Sequence, residues 1–177
     1  MSPDIDILVV SYARDRATIE RFLQDYVDRA ASHDRGDEEL MMLPVGAREE
    51  PVGSNFWEWE PARNLNHIVQ RGLDEPPRAF YVYLKTLDKS LSGATLGFTT
   101  DGRVIFGLSI NEGGAKPENT ARAILFVHKL AAAYGGERGW IGVEMLPPLI
   151  ADEKPRGIVE YELAAPTSSK LLGGWRN

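Results

Sequence analysis

Residues 94–110 read Ala94-Thr-Leu-Gly-Phe-Thr-Thr-Asp-Gly-Arg-Val-Ile-Phe-Gly-Leu-Ser-Ile110, apolar residues alternating with small or polar ones on both sides of Asp101-Gly102. Alternation around Asp-Gly is the pattern of a β-hairpin. A two-residue loop at Asp101-Gly102 would pair Phe98 with Ile105 and scatter the apolar set over both faces. A three-residue loop, Thr100-Asp101-Gly102, pairs Phe98 with Val104, Leu96 with Phe106 and Ala94 with Leu108, keeping one apolar face. The predicted loop is therefore a type I turn followed by Gly102 in the left-handed region as a bulge. The other face carries Thr95, Gly97, Thr99, Ile105, Gly107 and Ser109. It is small enough for a close backbone or a ligand, and reads first as a wet or helix-covered face.

Outward from the hairpin, Ile5 to Tyr12 is a β-rich apolar run, after which Asp15 caps a helix to about Ala31 with Ile19, Phe22, Leu23, Tyr26, Val27 and Ala30 inward. Pro61, with Glu60 as its cap, opens a second helix of about eleven residues along Leu65, Ile68 and Val69, ending by Gly72. Phe80 to Leu84 is a strand. Pro117 opens a third helix, whose apolar positions from Ala121 to Tyr134 cover much of its circumference and predict the most buried helix; Gly135-Gly136 ends it. Trp140 to Met145 is a further strand. Strands and helices in this order predict an α+β two-layer sandwich, with helices packed on a mixed, mostly antiparallel sheet.

With 177 residues, 43% of them apolar, the chain is large enough for one domain with a substantial core. Residues 1–148 read as that domain, with 33–55 as a long acidic connection inside it. Residues 149–177 read as a C-terminal extension with an edge strand at 157–163 and a flexible tail. There is no cysteine, hence no disulfide or thiol chemistry. No apolar run approaches the roughly 20 residues that span a bilayer, and Met1-Ser-Pro-Asp lacks the basic start of a leader. A cytoplasmic protein without a membrane role is expected. The acidic balance, pI about 5.1, argues against nucleic acid as partner, since phosphates demand a basic face.

The acid is concentrated. Between Ser32 and Glu60 lie Asp34, Asp37, Glu38, Glu39, Glu49, Glu50, Glu58 and Glu60 against only Arg35 and Arg48. That net charge of −6 equals the charge of the whole chain. The same stretch contains Phe56-Trp57-Glu58-Trp59-Glu60, whose two indoles share one side of an extended chain and whose two glutamates share the other. Indoles inside concentrated charge suit an anchor with a steering rim for a basic protein surface, although core packing explains an aromatic pair equally simply. An exposed pair could also stack on a sugar.

Other chemistries are thinner. Asn111 to Asn119 turns from strand to helix with glycines and Lys116, but lacks the Walker and dinucleotide spacings, and its glutamates repel anions. His33, His67 and His128 form no metal-binding pattern, and no metal or other cofactor is expected. His128, on an apolar helix, reads as an interior histidine. Glu58, Glu60 and His67 make the one acid–base set that can be assembled, the basis of an alternative reading as a small hydrolase-like enzyme. A third reading is a small-molecule sensor using the small hairpin face near Gly97 and Gly107.

The compact α+β organisation, the sequence Ala94–Ile110 leading to a helix over Glu118–Tyr134 and a strand over Trp140–Met145, and the acidic segment resemble the small acidic immunity proteins of bacterial polymorphic toxin systems. The resemblance covers about half the chain and transfers no individual residue. It implies a protein that binds and neutralises a toxin made by the same cell, with no catalysis and no cofactor.

Overall fold

The computed structural model describes residues 4–30, 40–44, 60–74, 78–111 and 117–163, with 40–44 and 60–61 described by their backbone. The predicted hairpin is its centre. Strand β5 (Leu91–Phe98) and strand β6 (Val104–Ile110) pair with Phe98 opposite Val104, Leu96 opposite Phe106 and Ala94 opposite Leu108, the register of the three-residue loop. Gly102 sits at φ 85°, its N–H donates to the Thr99 carbonyl at 3.3 Å, and the Thr99 N–H to the Arg103 carbonyl at 3.0 Å. A left-handed position closing the loop is what glycine supplies without strain.

Six further strands complete the sheet: β1 (Ile5–Ser11), β2 (Leu40–Pro44), β3 (Glu60–Ala62), β4 (Phe80–Leu84), β7 (Gly136–Leu146) and β8 (Arg156–Leu163). The order is β3-β2-β4-β5-β6-β1-β7-β8. Six strands from β4 to β8 form the body, and the short β2 and β3 extend it beyond β4. Every pairing is antiparallel. The sheet is thus not mixed between neighbours: β6 and β7 run the same way, but β1 is inserted between them and opposes both.

Helices α1 (Arg16–Tyr26), α2 (Leu65–Asp74) and α3 (Pro117–Tyr134) all cover one face. That face of the sheet contributes Ile5, Ile7, Val9, Phe80, Val82, Ala94, Leu96, Phe98, Val104, Phe106 and Leu108 to a core shared with Phe22, Leu23, Ile68, Val69, Val127 and Leu130. The α+β two-layer architecture follows from this alternation. Phe22, Tyr26, Phe106 and Tyr134 form an aromatic knot at its centre, with ring centroids 4.9–6.4 Å apart.

The helices depart from the sequence reading in instructive ways. Asp15 caps α1 as expected, accepting from the Thr18 N–H at 2.9 Å. The helix nevertheless stops at Tyr26, because Val27 leaves it to bridge Thr86 and Asp28 donates its N–H to the Lys85 carbonyl. Ala30 is therefore exposed. Pro61 does not open α2. It lies in β3, the outermost strand, where a missing N–H is tolerated. The cap is Asn64, whose Oδ1 accepts from the His67 N–H at 2.8 Å, so Glu60 has no capping role. Helix α3 is not the most buried: only Ala123, Val127, Leu130 and Tyr134 are sealed, and Leu125 is 72% exposed. Its wide apolar circumference meets a sheet on one side only.

Two strands, β2 and β3, were missed. β2 lies inside what reads as an acidic connection, because Leu40-Met-Met-Leu43 is a short apolar run without β-branched residues, flanked by charge. The edge strand expected at 157–163 is β8 (Arg156–Leu163), the last strand of the same sheet, with Tyr161 and Leu163 packing on the main core. The stretch before it folds back over the hairpin end, where the Leu149 carbonyl accepts from the Thr100 N–H and the Asp101 carboxylate accepts from the Ala151 N–H. Residues 164–177 lie outside the described residues.

Candidate functional site

Strands β2 and β3 position the acidic segment. They pair antiparallel at the outer edge of the sheet, Met42 opposite Glu60, so residues 45–59 connect the Pro44 end of β2 to β3, and residues 31–39 enter β2 at Leu40. In sequence the acids therefore fall into two groups, before and after β2, a five-residue strand on the order of 15 Å long. Asp34, Asp37, Glu38 and Glu39 precede β2; Glu49, Glu50, Trp57, Glu58 and Trp59 follow it. These nine residues lie outside the described residues, and Glu60 is placed by its backbone alone as the first residue of β3.

His67 occupies the first turn of α2 and is partly exposed, its Nδ1 accepting from the Arg63 N–H at 3.4 Å. One of its ring nitrogens is thus engaged in finishing the helix start. His128 is exposed on α3 and not interior, with Nε2 3.5 Å from the Tyr161 hydroxyl. No group of three or more metal-ligating acids or histidines occurs among the described residues.

The small hairpin face is neither wet nor helix-covered. Thr95, Thr99, Gly97, Ile105 and Gly107 are all buried. A second apolar cluster of Leu8, Val10, Ile105, Trp140, Met145 and Ala151 fills part of that side. A Cβ on Gly107 would lie 2.8 Å from Leu8 Cδ2, and one on Gly97 3.3 Å from Tyr81 Cβ, so the room left by the glycines is taken by neighbouring side chains.

Three perturbed ionisable groups, Asp6, Tyr81 and Tyr83, gather on this second face, and sequence reasoning singled out none of them. Asp6, on β1, accepts from Ser109 Oγ at 2.7 Å and from the Met145 N–H at 2.8 Å, joining three strands. Burial raises its pKa, and those two hydrogen bonds only partly oppose the rise. Tyr83, although 42% exposed, is raised above the ordinary phenol range by partial desolvation, by Tyr81 and by the Asp6 charge. Tyr81, only 2% exposed, has its ring 5.5 Å from that of Tyr83, and burial raises it too. The two hydroxyls perturb each other without meeting hydrogen-bond geometry, so Tyr81 Oη is left buried and unsatisfied. Beside Met145, Glu144 adopts φ 52°, the only non-glycine at positive φ among the described residues. Asp6 thereby holds an irregular stretch of β7 in place. The visible signal was a carboxylate within the apolar run Ile5-Asp-Ile-Leu8.

No protein-family model matches this chain, and neither a curated protein nor a solved structure matches it significantly. The described helices include none long and apolar enough to cross a membrane.

Proposed function

We propose that the chain is a protein-binding domain, an inhibitor of the immunity type that neutralises a basic partner through the acidic residues flanking β2 and the Trp57–Glu60 stretch. Charge segregation carries this reading: the segment from Ser32 to Glu60 holds a net charge equal to that of the whole chain, and the remaining acidic and basic residues balance. Its attachment to the outermost strand pair supports the reading, because an edge presents its connections to a partner without disturbing the core. Two groups of carboxylates on either side of β2 would steer a cationic surface, and Trp57 or Trp59 would anchor it.

The test begins with a partner recovered from the native cell at low ionic strength. It should be basic, should bind more weakly as salt rises through the physiological range, and should be neutralised in an activity assay by the intact chain. Replacing Glu38, Glu39, Glu49 and Glu50 together by lysine should abolish capture while leaving thermal stability near wild type. Affinity unchanged by the fourfold replacement removes the proposal.

A further inference from the structure

We infer that residues 169–175 fold back along the open side of β8 as a further antiparallel strand, laying Leu171 and Trp175 on an apolar groove between β8 and α3. Among the described residues, the two most exposed large apolar side chains are Leu125, at 72%, and Ile158, at 66%. Both border this groove. Leu125 lies one turn before His128 on α3, and the His128 Nε2 is 3.5 Å from the Tyr161 hydroxyl, which joins the helix to β8. Ile158 is on the same face of β8 as Tyr161: they pair with Val143 and Ile141, alternate residues of β7, and Glu160 between them is the extra residue of a bulge. α3 and β7 are antiparallel, since a Cβ on Gly136 would meet Ala131 and one on Gly139 would meet Val127. The starts of α3 and of β8 therefore both lie toward the end of β7, and Leu125 and Ile158 lie on the same side of the His128–Tyr161 contact.

The chain itself supplies the occupant. β8 ends at Leu163, half-buried against the main core on this same face, and no described strand covers its outer side. Residues 164–177 follow directly and read Ala164-Ala-Pro-Thr-Ser-Ser-Lys-Leu-Leu-Gly-Gly-Trp-Arg-Asn177. Turn-forming residues come first, and the large apolar residues Leu171, Leu172 and Trp175 come after them. The reach is sufficient: from Leu163 back to Ile158 is on the order of 17 Å along the strand, and residues 169–175 extend on the order of 23 Å. The opposite edge of the sheet needs no such cover, because β3 is three residues long and contains Pro61.

Side-chain parity sets the register. A five-residue loop over 164–168 places Lys170 opposite Glu162 and Leu171 opposite Tyr161. Glu162 is on the face away from the groove, opposite Trp140, and Lys154 Nζ lies 2.7 Å from its carboxylate; Lys170 joins that pair from the other side. Leu171, Gly173 and Trp175 then alternate onto the groove side, the glycine leaving room beside Ile158. A slip by one residue would turn Lys170 onto the apolar groove and Trp175 away from it. None of these residues belongs to the acidic segment proposed to bind a partner, so the two proposals stand or fall separately.

Since the chain has no cysteine, cysteine pairs introduced into the full chain read the register. On mild oxidation Glu162→Cys/Lys170→Cys should close an intramolecular disulfide at least ~10-fold faster than Glu162→Cys/Arg176→Cys, because residue 176 lies on the order of 20 Å further along the edge. Similar rates for the two pairs overturn the inference, and so does a disulfide that forms only between two copies, which would make a second chain the occupant. Hydrogen exchange of the full chain gives an independent reading. Amides of residues 169–175 should be protected at least ~10-fold over an unstructured peptide, and Leu125→Glu and Ile158→Thr, at exposed positions and with native circular dichroism, should each remove most of that protection. No protection in the wild type, or protection unchanged in both variants, overturns the inference.

Discussion

Replacing Gly72 by alanine sets two known effects against each other. Alanine is favoured over glycine inside a helix by about 1 kcal/mol, and at an exposed position of α2 the substitution would stabilise the protein. At Gly72 the added Cβ would fall 2.2–2.4 Å from three carbons of the Phe98 ring, about an ångström inside ordinary contact. The ring cannot easily retreat: Phe98 is buried, its centroid is 4.9 Å from that of Phe80, and the Arg14 guanidinium lies 5.3 Å from it. Arg14 is itself held by the Gly72 and Thr99 carbonyls, which tie α2 to the end of β5. Overpacking of this kind costs roughly 1–3 kcal/mol, and with the ring pinned on two sides the upper end applies. The net expectation is a loss of about 2 kcal/mol. Urea denaturation monitored by tryptophan fluorescence reads it as a lower midpoint at unchanged slope. Phe98→Leu should be costly alone but should relieve the overlap, so the double variant should be more stable than the sum of the singles by at least ~1 kcal/mol. A neutral or stabilising Gly72→Ala, or simple additivity with Phe98→Leu, refutes the packing argument.

Two further outcomes concern carboxylates. The folded-state pKa of Asp6 is raised by burial above the unfolded value of about 3.9. The unfolded chain therefore gives up this proton first, and the Asp6 contribution to stability falls as pH rises from the unfolded value through the folded one. Asp6→Asn keeps groups able to meet both Ser109 and the Met145 N–H, so its stability relative to wild type should improve between pH 4 and pH 7; a gap independent of pH contradicts this. Asp6→Ala, which strands the Met145 N–H, should cost about 1–3 kcal/mol. Asp15 behaves oppositely, because hydrogen bonds from the Thr18 backbone and hydroxyl lower its pKa. Its contribution is complete above the unfolded value and is lost as pH falls through the lowered folded one. Asp15→Ala should cost about 1 kcal/mol at pH 7, and thermal melts should show the difference from wild type narrowing toward pH 2.

The hairpin was legible in the sequence to the residue. Its register depends on information within seventeen consecutive positions: an alternating pattern that tolerates no one-residue slip, and a glycine where the loop needs a left-handed backbone. The Asp15 cap was legible for the same reason, since donor and acceptor are three residues apart. The concentration of acid between Ser32 and Glu60 is likewise a fact of composition, and the proposed function rests on it.

Tertiary structure decided what depends on distant partners. Leu40-Met-Met-Leu43 becomes a strand because the edge of β4 is there to receive it, and Val27 leaves its helix because Thr86 offers a bridge. The apolar circumference of α3 could not reveal that one side would stay exposed. Most of all, β1 enters between β6 and β7, which brings Asp6 against Ser109 and Met145, 103 and 139 residues away. No local propensity encodes such a meeting. It follows from which apolar faces can be buried together, a choice made by the whole chain at once, and the second face with its half-buried carboxylate and unsatisfied tyrosine exists only through that choice.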